Sequence, residues 1–174
     1  MVRNPSSPID WVIDLLDTAN TVEDVQTALR CSVRAAVGAQ GATVVQLQDG
    51  QCYYADEDAM SPLWKGQRFP ATECISGWAM LHDETVVIAD IRTDSRIPQA
   101  AYRPTFVRSV LMVPIRATGA PVGAIGAYWA DVHTASADQI AVLERLAAAA
   151  GRALTRIGTS AFDRAQNPVP LAAV

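Results

Sequence analysis

Three cysteines are the side chains of this sequence best suited to covalent or metal chemistry, and Cys74 is the strongest candidate among them. It follows a proline-containing loop and precedes the letters "ISGW", where a helix N-terminus would favour its thiolate form. Cys31 and Cys52 fall within a helical and a strand pattern, which is typical of buried, unreactive thiols, and the same role is the alternative for Cys74. The odd count without a CxxC spacing argues against a disulfide framework or a zinc site.

The two histidines complete the set of groups that could bind a metal. Haem would need an axial ligand, for which His82, His133 and Cys74 are the candidates. Both histidines lie at the end of an element, where an imidazole is more often solvated or capping, so haem is not expected. The sequence also contains no trio of nucleophile, base and orienting group. We therefore expect no catalytic activity of its own.

Aromatic side chains concentrate in the segments between the regular elements, where they could line an apolar pocket with a few polar groups. We predict that the pocket is lined by Trp64, Phe69, Cys74, Trp78, Asp90, Tyr102, Arg103, Phe106 and Met112. Arg108 is a further polar candidate. The alternative is that the aromatic residues form a core beneath long loops, and that Asp90 fixes a loop by local hydrogen bonds.

Composition limits the classes of function. The chain has 174 residues, of which 50% are hydrophobic and 18% charged, which suits one well-packed domain. A net charge of −4 without a run of basic residues argues against nucleic acid as a partner. The N-terminus lacks a signal peptide, and the longest uncharged segment, 117–130, is too short to span a membrane. We expect a cytoplasmic protein.

Three segments have the capping signals and the periodicity of helices. Ser7 precedes a short helix with a proline at its first position. Thr21, with Asp24 three residues later, predicts a second helix that ends near Gly38. Ser136, three residues before a glutamine, predicts a long helix that extends to residue 157.

Strands occupy the middle of the chain. The Asp49-Gly50 pair predicts a hairpin turn, and two nearly unbroken apolar runs form a second hairpin in "VRSVLMVPIRATGAPVGAIGAYW". A buried strand is predicted at "TVVIADI", and a short helix or turn at "CISGWAMLHD". The order predicts an α+β fold with a central antiparallel sheet of five to six strands. The N-terminal helix pair and the long C-terminal helix cover one face. Long loops and the short helix (57–84 and 91–105) cover a pocket, or close over a solid core, on the other.

The second half of the chain resembles a known family. The segment "FVRSVLMVPIRATGAPVGAIGAYWADVHTASADQIAVLERLAAAAGRAL" resembles the C-terminal half of a GAF domain, and "ISGWAMLHDETVVIADIRTDSRI" is similar to the middle of that domain. The resemblance implies an N-terminal extension at 1–20, a GAF domain at 21–157 and a C-terminal tail at 158–174. It also implies a sensory module, as found in bacterial sensor histidine kinases, which binds a small ligand.

The known ligands of the family can be compared with this sequence. Cyclic-nucleotide-binding members carry an Asn-Lys-Phe-Asp-Glu signature, whereas the single Lys65 has no such neighbours. Covalent bilin attachment uses a cysteine before the "VRS" strand, and "SRIPQAAYRPTF" contains none. Both cofactors are therefore not expected, while noncovalent tetrapyrrole binding stays open.

A redox enzyme is the alternative function. The family includes free-methionine sulfoxide reductase, which resembles this chain but uses a cysteine in a "GxxCG" turn and another before the "VRS"-like strand. Here Ser76 is nearest to the first position, and no cysteine occurs from residue 75 to 174.

The long C-terminal helix suggests how a signal could leave the domain. Its apolar residues recur at spacings of three and four, which is the pattern of a coiled-coil seam: Ile140, Leu143, Ala147, Ala150, Leu154 and Ile157. We expect a homodimer through the terminal helices, including the helix that carries Trp11, and an output domain or kinase in cis or in trans. The alternative is that the whole stripe covers the sheet.

Overall fold

A computed structural model of the chain describes residues 7–158, so most of the predicted tail at 158–174 lies outside the described residues. The helices are α1 (Pro8–Thr18), α2 (Val22–Val37), α3 (Ile75–His82), α4 (Gln99–Tyr102) and α5 (Ala137–Ile157). The strands are β1 (Gly41–Gln48), β2 (Gln51–Ala59), β3 (Arg68–Pro70), β4 (Val86–Ile88), β5 (Ser109–Ala117) and β6 (Ala120–Trp129).

The helix ends follow from local sequence. Thr21 and Asp24 form a complete capping box at the start of α2, in which each side chain bonds the other's backbone N–H. Ser136 and Gln139 form the same arrangement at the start of α5. Helix α2 ends at Gly38, whose φ of 64° is readily adopted only by a residue without a Cβ.

The strands form one antiparallel sheet in the order β3-β2-β1-β6-β5-β4. Tight turns join β1 to β2 and β5 to β6, at the two places that the sequence predicts. Strands β5 and β6 lie inside the sheet, and both of their faces are covered. Burial on both faces explains why these two segments are almost entirely apolar. The predicted α+β architecture is confirmed.

Helices α2 and α5 cover one face of the sheet, which we call the helix face, and α1 packs against both of these helices. Helix α5 approaches β5 closely at Gly151, where a Cβ would lie 2.0 Å from the carbonyl oxygen of Arg116. Leu143 and Leu154 of the α5 stripe are buried within the chain, and Ile140 and Ile157 pack against the same core. Of the two expectations for this stripe, coverage of the sheet describes the observed contacts.

Helices α1 and α5 run side by side in the same direction. Arg145 pairs with Asp10 at 2.9 Å, and seven residues further along both helices Arg152 pairs with Asp17 at 3.0 Å. Arg156 then donates hydrogen bonds to carbonyl oxygens at the end of α1. Within residues 7–158, no helix combines the length and apolar composition that crossing a bilayer would require.

The opposite side of the sheet, the loop face, is covered by α3, α4 and irregular segments. Two small elements were not predicted there. Strand β3 pairs with β2 at the sheet edge, and α4 interrupts a segment that the sequence suggested was irregular. Both are too short for hydrophobic periodicity to indicate them.

Candidate functional site

A nearly filled cavity lies beneath the loop face. Its wall is formed by Tyr54, Trp64, Phe69, Cys74, Pro98, Ala101 and Tyr102. Its volume is about 10 Å³, which leaves room for at most one water molecule. The segments that cover the sheet are therefore closed over this site, and a larger ligand would require them to move.

Aromatic rings fill the space. The Trp64 ring lies at the centre, with ring centroids at 4.7 Å from Tyr102 and 5.5 Å from both Tyr54 and Tyr128. Its indole N–H donates a hydrogen bond to the carbonyl oxygen of Ala101, at 3.1 Å, which ties the ring to α4. Tilted and edge-to-face contacts of this kind add to the stability that burial alone provides.

Polar groups line one side of the cavity. The Tyr54 hydroxyl lies 3.1 Å from the Ser76 hydroxyl, which lies 3.4 Å from the Cys74 sulfur. Both serine contacts are possible because β2 points Tyr54 inward and because Ser76 is in the first turn of α3. The two hydroxyl groups and the thiol thus form a small buried polar cluster beside the aromatic rings.

Cys74 is the most acidic thiol of the cluster. Hydrogen bonding with Cys52 holds the pKa of Cys74 below its usual value, although burial acts in the opposite direction. The Ser76 hydroxyl and the backbone N–H of Gly77 lower it further. The same interaction, together with burial, raises the pKa of Cys52.

Two buried tyrosine hydroxyls differ in their hydrogen bonding. The Tyr128 hydroxyl lies 2.9 Å from the Thr43 hydroxyl, in space that exists because residue 126 is glycine. The Tyr102 hydroxyl is also buried but has no hydrogen-bond partner among the described residues. Burial raises the pKa of Tyr102 well above its usual value, so this hydroxyl is a neutral donor and acceptor.

The predicted site residues are dispersed over the loop face. Four of them form part of the cavity wall: Trp64, Phe69, Cys74 and Tyr102. Trp78 lies on the outer side of α3, stacked between His82 and Arg96. Phe106 packs near Gly41, and Met112 is buried in β5 within the same core.

The two predicted charged residues lie away from the cavity wall. Asp90 accepts two hydrogen bonds of 2.8 Å from the Arg108 guanidinium and one from the Arg92 backbone N–H. These bonds lower the pKa of Asp90 to about 2 and fix the loop after β4. Arg103 is exposed and lines a separate surface cleft.

The histidines also lie outside the cavity wall. His82 contacts the Trp78 carbonyl oxygen at 2.9 Å, and His133 contacts the Gln139 side chain at 2.8 Å. Within residues 7–158, no group of three or more His, Cys, Asp or Glu side chains is placed to hold a metal ion.

Two polar residues of the site, Tyr54 and Ser76, were missed at the sequence level, as were Pro98 and Ala101 of the cavity wall. Tyr54 follows Cys52 by two positions in β2, so alternation along the strand places both on the same face. That spacing could have identified Tyr54. Ser76 was compared with a catalytic cysteine but not considered as a hydrogen-bonding group in its own right.

Comparisons with known proteins agree with this architecture. The GAF domain family model matches residues 19–155. No curated protein matches the sequence significantly.

Solved structures share the fold at low sequence identity. The GAF domain of an Acinetobacter phosphoenolpyruvate-protein phosphotransferase is 14% identical with a TM-score of 0.74, and the match covers 85% of this chain and 90% of that one. The free methionine-R-sulfoxide reductase of Neisseria meningitidis is 16% identical with a TM-score of 0.74, covering 88% and 89%. The GAF-B domain of DevS from Mycobacterium smegmatis is 16% identical with a TM-score of 0.64, covering 83% and 98%.

Proposed function

Because this chain belongs to the GAF domain family, we propose that it is a cytoplasmic sensory module that binds a small ligand beneath its loop face. Binding there regulates a signalling output, in cis or in trans, of the two-component histidine kinase type. The ligand site is the aromatic cavity beside α4, and its polar contacts are the Tyr102 hydroxyl and the cluster around Ser76.

The observation that carries this proposal is the buried Tyr102 hydroxyl, which makes no hydrogen bond within the described part of the chain. A buried polar group that makes no hydrogen bond costs about 1–3 kcal/mol. A ligand with one hydrogen-bonding group would recover that free energy as it displaces the aromatic packing. Apolar walls with a few convergent polar groups are typical of small-molecule sites.

Entry of a ligand requires the cavity to open. Helix α4 has four residues, and a side-chain bond from Trp64 and another from Gln99 help to hold it in place. So short an element, bound by few contacts, can be displaced at low cost. The ligand then selects an open form that is a minor population in its absence, which weakens its apparent affinity by that fraction.

A thermal-shift screen of small metabolites, with the wild type and Tyr102→Phe compared, tests the proposal. At least one compound should raise the unfolding temperature of the wild type and lose about tenfold in affinity with Tyr102→Phe. Tyr53→Phe is the control, since Tyr53 lies on the same strand as Tyr54 and is stacked under Arg68. If no compound depends on Tyr102, the proposed site is wrong.

The signal leaves through a dimer in which the N-terminal helix α1 of each copy packs against α1 and α2 of the other. A groove of about 610 Å³ between α1 and α2 has a mainly apolar lining, and Trp11 and Leu15 at its edge are 56% and 39% exposed. In a two-fold dimer the same patch is present on both copies, so the Trp11 ring of one copy can enter the groove of the other. Movement of α1 would then change the relative orientation of the two copies.

Sedimentation at high micromolar concentration tests the dimer. Trp11→Asp should shift the wild-type dimer to a monomer, whereas Val132→Asp, at a site 57% exposed beyond β6, should not. A wild type that sediments as a monomer would exclude this interface.

Reduction of free methionine sulfoxide is a second candidate function. The observation in its favour is the lowered pKa of the Cys74 thiol, with the second buried thiol of Cys52 in the same core, because a thiolate is the nucleophile and a second thiol can resolve its oxidised form. Purified protein should then consume free methionine sulfoxide with thiol reductant present. Cys74→Ser should abolish the activity, while Cys31→Ser, at an exposed thiol on α2, should not.

A further inference from the structure

A surface cleft on the far side of Tyr102 has the features of a second binding site. It has a volume of about 310 Å³, with Ile91 and Val107 as apolar lining and Arg92 and Arg103 as its charged groups. Tyr102 lines both this cleft and the aromatic cavity. The cleft is thus separate from the cavity, and its volume is in the range of small-ligand sites.

The two arginines of the cleft differ from the other basic residues of the described chain. Most basic side chains of residues 7–158 form ion pairs with aspartates. Arg68 and Arg156 instead donate hydrogen bonds to uncharged oxygens. Within the part of the chain that the structure describes, Arg92 and Arg103 are the two guanidinium groups with neither kind of partner.

Nearby acidic groups do not neutralise this pair. Asp90 is close enough to Arg92 for the two charges to interact, but both of its carboxylate oxygens are bound by Arg108. Like charges that share a cleft repel each other, and the protein as a whole carries a net charge of −4. Two unpaired cations in one place therefore raise the local potential in a protein that is otherwise acidic.

We propose that this cleft binds a small oxyanion, a carboxylate or a phosphate, through the guanidinium groups of Arg92 and Arg103. The planar guanidinium fork matches both groups, and a bond to a charged acceptor is stronger than one between neutral groups. Ile91 and Val107 favour an anion with a short apolar part. The proposal goes beyond the cavity ligand, since the cleft is open without movement of α4.

Binding in the cleft would act on the wall of the cavity. Arg103 directly follows Tyr102, and both belong to the end of α4. An anion bound to Arg103 would hold that end of α4 in place, which would favour the closed cavity. The two sites are thereby expected to influence each other.

Titration calorimetry at low ionic strength with benzoate, benzamide and inorganic phosphate tests the proposal. Benzoate or phosphate should bind the wild type, while benzamide, which has the shape of benzoate without its charge, should bind at least tenfold more weakly than benzoate. Arg92→Gln and Arg103→Gln should each lose about tenfold in anion affinity. Arg68→Gln removes one positive charge elsewhere and should keep the wild-type affinity.

The results of this experiment distinguish the two anions from each other and the cleft from the cavity. Preference for benzoate over phosphate indicates a carboxylate ligand, and the reverse indicates a phosphate. The proposal would be overturned if the three arginine variants bound the anions with the same affinity as one another. It would also be overturned if the wild type bound neither benzoate nor phosphate. Tyr102→Phe should leave anion binding unchanged, so failure here is distinguishable from failure of the cavity proposal. Because neither Arg92 nor Arg103 makes a side-chain hydrogen bond or ion pair within residues 7–158, unfolding temperatures without ligand should stay close to that of the wild type.

Discussion

The two faces of the sheet use different chemistry to bury comparable numbers of side chains. The helix face is packed with valine, leucine, isoleucine and alanine from α1, α2 and α5. The loop face contains most of the buried aromatic rings, together with two thiols and several hydroxyl groups. Its covering segments are short helices and irregular chain rather than long helices.

This difference indicates a division of roles. Aliphatic side chains between long helices and a sheet gain stability from close packing and have no polar group to satisfy. The aromatic rings and hydroxyl groups of the loop face lie beneath short segments, so they can rearrange around a bound ligand. The same arrangement makes this face locally less stable. The helix face therefore provides most of the stability of the fold. The loop face is the side on which ligand binding can change the conformation.

Leu146→Ala on the helix face should have the largest effect. Leu146 is fully buried in α5, so its truncation removes apolar contacts and leaves a cavity, at a cost of about 2–5 kcal/mol in the free energy of unfolding. Urea denaturation measures it. The exposed Val132→Ala should stay within about 0.5 kcal/mol of the wild type. A cost below about 1 kcal/mol for Leu146→Ala would remove the distinction between the faces.

Tyr128→Phe should have the next largest effect, at about 1–2 kcal/mol of destabilisation. The change leaves the buried Thr43 hydroxyl without its partner at 2.9 Å, and an unsatisfied buried group carries its full desolvation cost. The double variant with Thr43→Val is the control. It should recover part of the loss, because both polar partners are then absent.

Tyr102→Phe should have the opposite sign. It removes a buried hydroxyl that has no partner among the described residues, so the free energy of unfolding should rise, by up to about 1 kcal/mol. Urea denaturation without ligand, in parallel with Tyr128→Phe, measures the contrast. Equal destabilisation by the two changes would mean that the Tyr102 hydroxyl is satisfied in solution.

The loop after β4 should show the smallest effect and a distinct pH dependence. The pKa of Asp90 is lowered to about 2 by Arg108, against about 3.9 for a free aspartate, so its ionised form favours the folded state. The contribution is fully present above about pH 5 and is lost progressively as the pH falls through about 2. The stability difference between wild type and Asp90→Asn should shrink over that interval. A difference that stays constant over that interval would contradict the stabilising role of the Asp90–Arg108 pair.

Local signals in the sequence predicted most of the fold. Thr21 with Asp24 and Ser136 with Gln139 marked two helix starts, and Asp49-Gly50 marked a turn, since each depends on residues close in sequence. The three residues of β3 and the four of α4 depend on distant partners instead.

The candidate site was only partly predictable for the same reason. Residue type indicated Trp64, Phe69, Cys74 and Tyr102, because aromatic and thiol groups in long connections point to a pocket. The state of that pocket depends on how four rings from separate segments meet, which no short pattern encodes. Likewise, the spacing of apolar residues in α5 is the same whether the helix packs on the sheet of its own chain or against a helix of a second copy.

The shared direction of α1 and α5 determines how the domain would behave between attached proteins. Because the Asp10–Arg145 pair sets Pro8 level with Leu143, a protein attached before Pro8 and one attached after Ile157 would start about 21 Å apart along the helix axis. The two attachment points would therefore lie at opposite ends of the paired helices α1 and α5. A change in the packing of α1 against α5 would therefore alter the orientation of one attached protein relative to the other, whereas a movement confined to the loop face would leave that orientation unchanged.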